Sequence, residues 1–350
     1  MPVLIDLQSH DHHLAPRIDE TRALLGNDAE PTNCLNIGLV NNMPDSALVS
    51  TERQLFELLT AAAGKLLVRL HLYTMDTAPR TDWGRDYVRR FYLNTGDLLN
   101  SRLDGLIVTG AEPRTTNLTD EQYWPSFVRV VDWAKENTLS SVYSCLAVHG
   151  AVLHLDKIER HALSRKCLGV FTQAKVTDHP LMLNVPATIK VPHSRWNEVQ
   201  ESSLVGGGYT ILSKSDQTGA DCFVKHHGSS LFVHFQGHPE YEAQSLLGEY
   251  RRDIGRFLRQ ETEIYPAMPA GYFSEDAEKT LIMFQRDAIS DRRPELLASF
   301  PADQLTKRLR NTWHSAATRM YRNWMLYMSS ENTKPTRSRS LKALSRTSHS

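Results

Sequence analysis

No run of about 18 apolar residues occurs anywhere in the 350-residue chain, so a membrane-crossing helix is not expected. The N-terminus, Met-Pro-Val-Leu-Ile-Asp-Leu-Gln-Ser-His, lacks the basic segment followed by an apolar one that marks an export signal, so a cytoplasmic protein is expected. Cysteine is scarce. Cys34, Cys145, Cys167 and Cys222 are scattered without paired spacing, which speaks against a disulfide framework and against a cysteine zinc site. Histidine is plentiful at 15, yet no His-Glu-x-x-His spacing occurs and His10, His12 and His13 stand in a polar lead, so no metal site is expected. Net charge is also missing: 40 Lys and Arg balance 40 Asp and Glu, which removes any whole-chain pull toward nucleic acid or membrane. Gly110-Ala-Glu112 and Gly206-Gly-Gly208 lack the Gly and Lys spacing of a phosphate cradle and read as turns.

What is present is an ordinary globular composition, 41% hydrophobic, enough to bury one large α/β core with additions. Residues 1–33 read as a polar extension. The apolar run Cys34–Val40 suits a buried strand, Asn41–Asp45 a loop, and Thr51–Ala63 a helix. Leu66–Tyr73, Gly105–Gly110 and Ser140–Cys145 repeat the strand pattern, with a helix over Asp120–Glu136. Short apolar strands alternating with helices indicate a parallel sheet covered on both faces. From Lys166 to about Phe235 the runs shorten and alternate, as antiparallel additions would. Tyr241–Gln260 reads as a long amphipathic helix and Ala302–Met328 as mostly helical. Four regions follow: an extension over 1–33, a catalytic unit over 34–262, a helical region packed on it over 263–331, and a basic, Ser-rich, disordered tail over 332–350.

The chemistry points to Cys145. In Ser-Ser-Val-Tyr-Ser-Cys-Leu-Ala-Val-His-Gly a β-branched and aromatic run breaks directly into a helix-like stretch, which is how a nucleophile is raised onto a strand-to-helix turn with a helix N-terminus behind it. Far downstream, Leu231-Phe-Val-His-Phe-Gln-Gly-His-Pro-Glu-Tyr241 ends a strand-like run in His238 and Glu240, a base and a carboxylate able to orient it. Backbone amides near Leu146, with one from the loop after the first strand, would hold an oxyanion. The alternative is a core thiol and a turn histidine before Pro239. Ser194 and Arg195, bounded by Pro192 and Trp196, read as a surface turn or, more sharply, as a substrate clamp.

The segments Asn42-Met-Pro44, Thr51-Glu-x-Gln54, Asp104-Gly-Leu-Ile-Val-Thr-Gly-Ala111, Tyr123-Trp-Pro125, Ser144-Cys-x-Ala-Val148, Pro192-His-Ser-Arg195 and Gly237-His-Pro-Glu-Tyr-x-Ala-Gln244 resemble, in order, the homoserine O-acyltransferases of the MetA type. The similarity runs from about residue 34 to Trp324. It implies a class I glutamine-amidotransferase-like fold and transfer of succinyl or acetyl from acyl-CoA to homoserine, in methionine biosynthesis, by a ping-pong route through a cysteine thioester. No bound cofactor is implied, acyl-CoA being a co-substrate, and a homodimer is suggested. By motif, Cys145 becomes the acyl carrier, His238 the proton acceptor and Glu240 its partner. Lys166 and Ser194 fall at substrate-contacting positions, and Arg252 with Glu249 where the amino-acid substrate is held, i and i+3 on one helix face. A guanidinium there suits a carboxylate. Two departures stand out. Asp45, Ser46 and Ala47 occupy the place of the lysine that follows Met-Pro in the family, and Arg114, after Glu112 and Pro113, aligns with the position that selects the acyl group. An acceptor such as serine, or a thiol hydrolase of amidotransferase type, are the alternatives, although the Gly-x-Cys-x-Gly of such hydrolases is replaced here by Tyr143 and Ala147.

Overall fold

The computed structural model describes residues 3–5, 11–25 and 34–333; the basic tail from Lys334 onward lies outside the described residues. In chain order the elements are β1 (Val3–Ile5), α1 (Ala15–Leu25), β2 (Cys34–Val40), α2 (Asp45–Ala63), β3 (Leu67–Tyr73), α3 (Asp82–Phe91), α4 (Thr95–Leu99) and β4 (Gly105–Val108). There follow α5 (Trp124–Asn137), β5 (Ser140–Ser144), α6 (Leu146–Asp156), β6 (His161–Lys175), β7 (Thr188–Glu198), α7 (Glu201–Gly206), β8 (Thr210–Ser215), β9 (Gly219–His227) and β10 (Ser230–Phe235). The helices α8 (Ser245–Leu258), α9 (Glu275–Ser290), α10 (Ala302–Thr306) and α11 (His314–Asn332) close the chain.

One ten-stranded sheet runs in the order β1-β3-β2-β4-β5-β10-β9-β8-β6-β7. The half from β1 to β10 is parallel, as the α/β alternation predicts for β2 to β5, and the half from β9 to β7 is antiparallel; β10, within the stretch expected to be antiparallel additions, instead pairs parallel with β5 on one side and antiparallel with β9 on the other. The apolar runs of β4, β5 and β10 are buried along their whole length because helices cover both faces. On one face α2 and α11 pack Leu55, Phe56, Leu59, Trp324, Met325 and Met328 onto the sheet. On the other, α5 and α6 supply Phe127, Val130, Val131, Val148 and Val152. The C-terminal region expected to pack on the catalytic unit is in part a layer of its core. The indole of Trp324 donates to Ser140 Oγ at 2.8 Å, directly beneath the strand that leads to Cys145.

Two further differences from the sequence reading have simple causes. The polar lead contributes an edge strand: Val3, Leu4 and Ile5 pair with Val68, Arg69 and Leu70, because three apolar residues suffice to complete the exposed edge of β3. α3 was not anticipated. Its sequence, Asp82-Trp-Gly-Arg-Asp-Tyr-Val-Arg-Arg-Phe91, is polar on average, yet Trp83, Tyr87, Val88 and Phe91 recur at helical spacing, and the last three pack against the core.

The strand order reverses direction between β2 and β4. Ligand crevices of open α/β sheets form at the carboxyl ends of strands flanking such a switch. The loops after Val40 and Val108, the end of β5 at Ser144 and the end of β10 at Phe235 all emerge there, as the convergence of motifs predicts. If α11 is part of the core, Trp324→Ala should cost roughly 3–5 kcal/mol, the usual penalty for removing a large buried aromatic, read as a lower urea midpoint.

Candidate active site

Cys145 occupies the single residue between β5 and α6, with φ 51° and ψ −113°. This left-handed backbone is strained for an L-residue, and it persists because both sides are held. The Cys145 amide donates to Phe235 O at 2.8 Å, and the chain turns at once into α6, bringing the helix N-terminus behind the half-buried thiol. A Cβ on Gly110 would stand 3.2 Å from the Leu146 amide nitrogen, so the loop after β4 runs directly against that amide. The loop after β2, expected to share the oxyanion role, has its amides committed elsewhere. Asn41 N donates to Tyr73 O at 3.0 Å, Asn42 N to Thr109 Oγ1 at 2.8 Å and Met43 N to Asn41 Oδ1 at 3.2 Å.

His238 follows β10 by three residues. Its Nδ1 lies 2.9 Å from Glu240 Oε1, its ring stacks on Tyr241 at 4.1 Å, and it is hydrogen-bonded to Cys145. Burial alone would lower the imidazole pKa. The facing charges of Cys145 and Glu240, with the hydrogen bonds to both, outweigh that and hold it well above the usual histidine value. Ser144 Oγ donates to the same Glu240 oxygen at 3.3 Å, so the residue before Cys145 also steadies the carboxylate. Cys145, His238 and Glu240 thus meet as the sequence spacing predicts.

Lys166, Ser194, Glu249 and Arg252 meet as well. Ser194 Oγ donates to Glu249 Oε2 and Tyr241 O–H to Glu249 Oε1 at 2.5 Å. Lys166 Nζ lies 2.8 Å from Asp253 Oδ2 and 3.7 Å from Glu249, and Arg252 reaches the same two carboxylates at 3.3 and 3.8 Å. Lys166 stands at the irregularity between Ala162 and Cys167 in the β6–β7 ladder, which frees it to reach α8. The Arg252 side chain is 42% exposed, so its fork is open to a ligand. Tyr241 links this group to His238, being stacked on one and bonded to the other. Sequence reasoning passed over Tyr241 and Asp253, although the first adjoins His-Pro-Glu and the second sits one turn beyond Glu249.

Arg195 corrects its expectation on both counts. It is 4% exposed, lies within β7, and donates to Asn197 O at 2.8 Å and Thr218 O at 2.6 Å; it is neither a surface turn nor a clamp for substrate. Arg114 is exposed, and its guanidinium makes no hydrogen bond or ion pair among the described residues. Its backbone amide and that of Thr115 donate to the buried carboxylate of Glu121 at 2.6 and 2.9 Å, which shapes the loop after β4. Glu112 instead pairs with Arg256 of α8 at 2.7 Å. A cation without a sequence signal, Arg160, holds this loop through Thr116 O at 2.9 Å; its Nη1 is buried with no hydrogen-bond partner among the described residues. Burial lowers its pKa, against the pull of Tyr123, Glu121 and Cys145. Where the family lysine would stand, Asp45 accepts from Arg80 at 3.1 Å and from the Thr81 amide at 2.8 Å. Arg80 also grips the carbonyls of Met43 at 2.5 Å and Asn41 at 3.1 Å.

A family model described as homoserine O-succinyltransferase matches residues 17–335. Among curated proteins, the homoserine O-succinyltransferase of Rhodopseudomonas palustris is 43% identical over 318 residues, covering 91% of this chain and 95% of that protein. Those of Methylorubrum extorquens and Bradyrhizobium japonicum are 45% and 46% identical, each covering 84% of this chain and 87% and 90% of theirs. Among solved structures, a glutamine amidotransferase from Methylobacillus flagellatus aligns with TM-score 0.47 at 12% identity, over 85% of this chain and 96% of that one.

Beneath His238 three consecutive amides are anchored to the antiparallel half of the sheet. Gln236 N donates to Asp221 O at 2.9 Å, Gly237 N to Asp221 Oδ1 at 3.1 Å and His238 N to Pro192 O at 2.8 Å. Asp221 is fully buried. Ser213 Oγ donates to its other oxygen at 3.1 Å, and His193 Nε2 stands 3.4 Å away, with Arg195 behind it. Burial pushes the Asp221 carboxyl up to about 6, against the lowering effects of Ser213, Gly237, Arg195 and His238. A folded value above the unfolded 3.8 means that the native state binds this proton more tightly, so stability is lost as pH rises through the window from about 4 to 6. Asp221→Asn, which keeps an acceptor for Gly237, should therefore gain up to about 3 kcal/mol on the wild type between pH 4 and pH 7, measured by denaturant unfolding at both.

Proposed function

Because the chain belongs to the homoserine O-succinyltransferase family, we propose that it transfers a succinyl group from succinyl-CoA to the hydroxyl of homoserine in two half-reactions through Cys145. It is an acyltransferase of methionine biosynthesis. The observation that carries the residue roles is the continuity from Cys145 through His238 and Tyr241 to Glu249 and Arg252, which sets a nucleophile and base beside an amino-acid-sized set of charges. We place the reaction in the cytoplasm, with acyl-CoA as a diffusing co-substrate.

In the first half-reaction Cys145 Sγ attacks the thioester carbonyl with its proton already held on His238 Nε2, the ring nitrogen that Glu240 leaves free. The Leu146 amide, at the N-terminus of α6, is positioned to stabilise the developing oxyanion. Collapse expels CoA, which receives the proton from His238. In the second half-reaction His238 accepts the homoserine hydroxyl proton as that oxygen attacks the Cys145 thioester, and the thiol is restored on release of O-succinylhomoserine. Glu240 keeps the imidazole in the required tautomer throughout. Arg252 receives the homoserine α-carboxylate and Glu249 its ammonium, with Lys166 and Ser194 holding Glu249 in place. The distal carboxylate of the succinyl group is assigned to the unpartnered Nη1 of Arg160, with Arg114 as the exposed cation at the loop's outer edge.

Cys145→Ala should abolish the succinyl mass increment that the wild type acquires on mixing with succinyl-CoA; continued turnover by that variant would exclude the thioester route. Arg252→Ala should raise KM for homoserine by roughly 10–100-fold with less effect on succinyl-CoA, the loss expected for one charge-assisted contact. Arg160→Gln should raise KM for succinyl-CoA while leaving homoserine binding near wild type, both read from steady-state CoA release.

A further inference from the structure

Outside the triad, four potential ligand atoms from three segments crowd a single point. His12 Nε2 lies 3.1 Å and His13 Nδ1 3.6 Å from Glu52 Oε2. The Tyr87 hydroxyl lies 2.9 Å from that oxygen, 3.3 Å from His12 Nε2 and 3.2 Å from His13 Nδ1. A tetrahedron with metal–ligand bonds of about 2.0 Å has edges of about 3.3 Å, and these five separations cluster around that length. We propose that His12, His13 and Glu52, with the Tyr87 hydroxyl at the fourth vertex, form a binding site for one divalent transition-metal ion of zinc's class.

Several features fit. Two imidazole nitrogens and a carboxylate oxygen are a ligand set that borderline cations accept and that calcium or magnesium would not favour. Glu52 is buried in α2, and its second oxygen accepts from Tyr92, whose hydroxyl in turn accepts from Asn41 Nδ2 at 3.0 Å, an outer layer of the kind that orients metal ligands. The His12 ring is fixed edge-on against Phe91 at 4.8 Å and lies tilted at 36° to the His13 ring at 4.4 Å. The His13 side chain is 27% exposed, which leaves an entry path from solvent. Two contacts oppose loading: the Tyr87 hydroxyl donates to Glu52 Oε2 at 2.9 Å and has to turn its proton away, and the Leu14 amide points at His12 Nδ1 at 3.3 Å. Metal at Nε2 moves the ring proton to Nδ1 and displaces the Leu14 contact, which is longer than an ordinary N–H hydrogen bond and correspondingly weak. The bound ion would tie the segment ahead of α1 to α2 and α3, acting as a staple and taking no part in the chemistry at Cys145.

The test uses the full chain carrying Cys145→Ala, so that the reactive thiol cannot take the ion. After chelation and dialysis, Co2+ is expected to bind at one equivalent with the visible bands of a tetrahedral centre and no sulfur charge-transfer band. Zn2+ is expected to displace it and to raise Tm by at least about 2 °C. Adding His13→Ala, at a partly exposed position that should leave folding intact by circular dichroism, is expected to weaken uptake by more than the roughly 10–100-fold that loss of an outer-shell partner costs. Tyr87→Phe should leave binding in place with altered cobalt bands. Absence of stoichiometric uptake, or uptake unchanged by His13→Ala, would overturn the site. No readout depends on acyl transfer, so this result is independent of the proposed reaction.

Discussion

The parallel pairing of β5 with β10 is the constraint on which the site depends. Phe235 pairs with Ser144, and the next amide, that of Cys145, donates to Phe235 O. That one register places the strained Cys145 backbone beside the segment that delivers His238 three residues later. A slip by one residue would exchange the faces of every side chain in β10, taking Leu231 and Val233 out of one core and Phe232 out of the other, so core packing fixes where the residues after Phe235 stand. The strain at Cys145 is tolerated because strand, helix and the close-packed Gly110 loop fix it from three sides.

Around this pairing, buried charge is used in two ways. At His238 the facing carboxylate and thiol make the charged imidazole favourable despite burial. One layer below, Asp221, His193 and Arg195 anchor the backbone of residues 236–238. Burial dominates there: it raises the Asp221 pKa to about 6 and lowers that of His193. Groups of the same types therefore play different parts according to whether the next partner is a reacting atom or a backbone amide.

The Thr51-Glu-x-Gln54 segment finds a physical explanation in the packing of α2. Gln54 donates to Ser245 Oγ at 2.8 Å and Arg53 binds Glu242 through two bonds at 2.8 and 2.9 Å, which seat α2 against the loop between Glu240 and α8. Glu52 points the other way, into the cluster of Tyr87, Tyr92 and His12. α2 is thus a brace between the N-terminal edge strand and the loop that follows Glu240. Residues 263–274 add a second brace, since Val170 N donates to Ala270 O at 2.8 Å and Ala270 N to Leu168 O at 3.0 Å, lying against the strand that carries Lys166.

The alternation of apolar strands with helices was legible along the chain because burial on both faces of a parallel sheet demands it, and β2 was located to the residue. Cys145, His238 and Glu240 were legible too, since a strand-to-helix break and a strand-ending His-Pro-Glu are local signals. The support of the site was not. Arg195 reads as a surface residue because nothing in Pro-His-Ser-Arg says that a strand will bury it, and Arg160 has no motif at all. α3 carries its stripe of Trp83, Tyr87 and Phe91 among charged residues that lower its average hydrophobicity, and the polar lead conceals an edge strand and two histidines that meet Glu52 forty residues away. Local sequence determined which elements form and which atoms are reactive, because backbone propensity and side-chain chemistry are short-range. Which charges face one another, and so which carboxylate orients a base, holds a loop or meets an imidazole, was decided only by tertiary packing, since electrostatic partnership depends on distance in space.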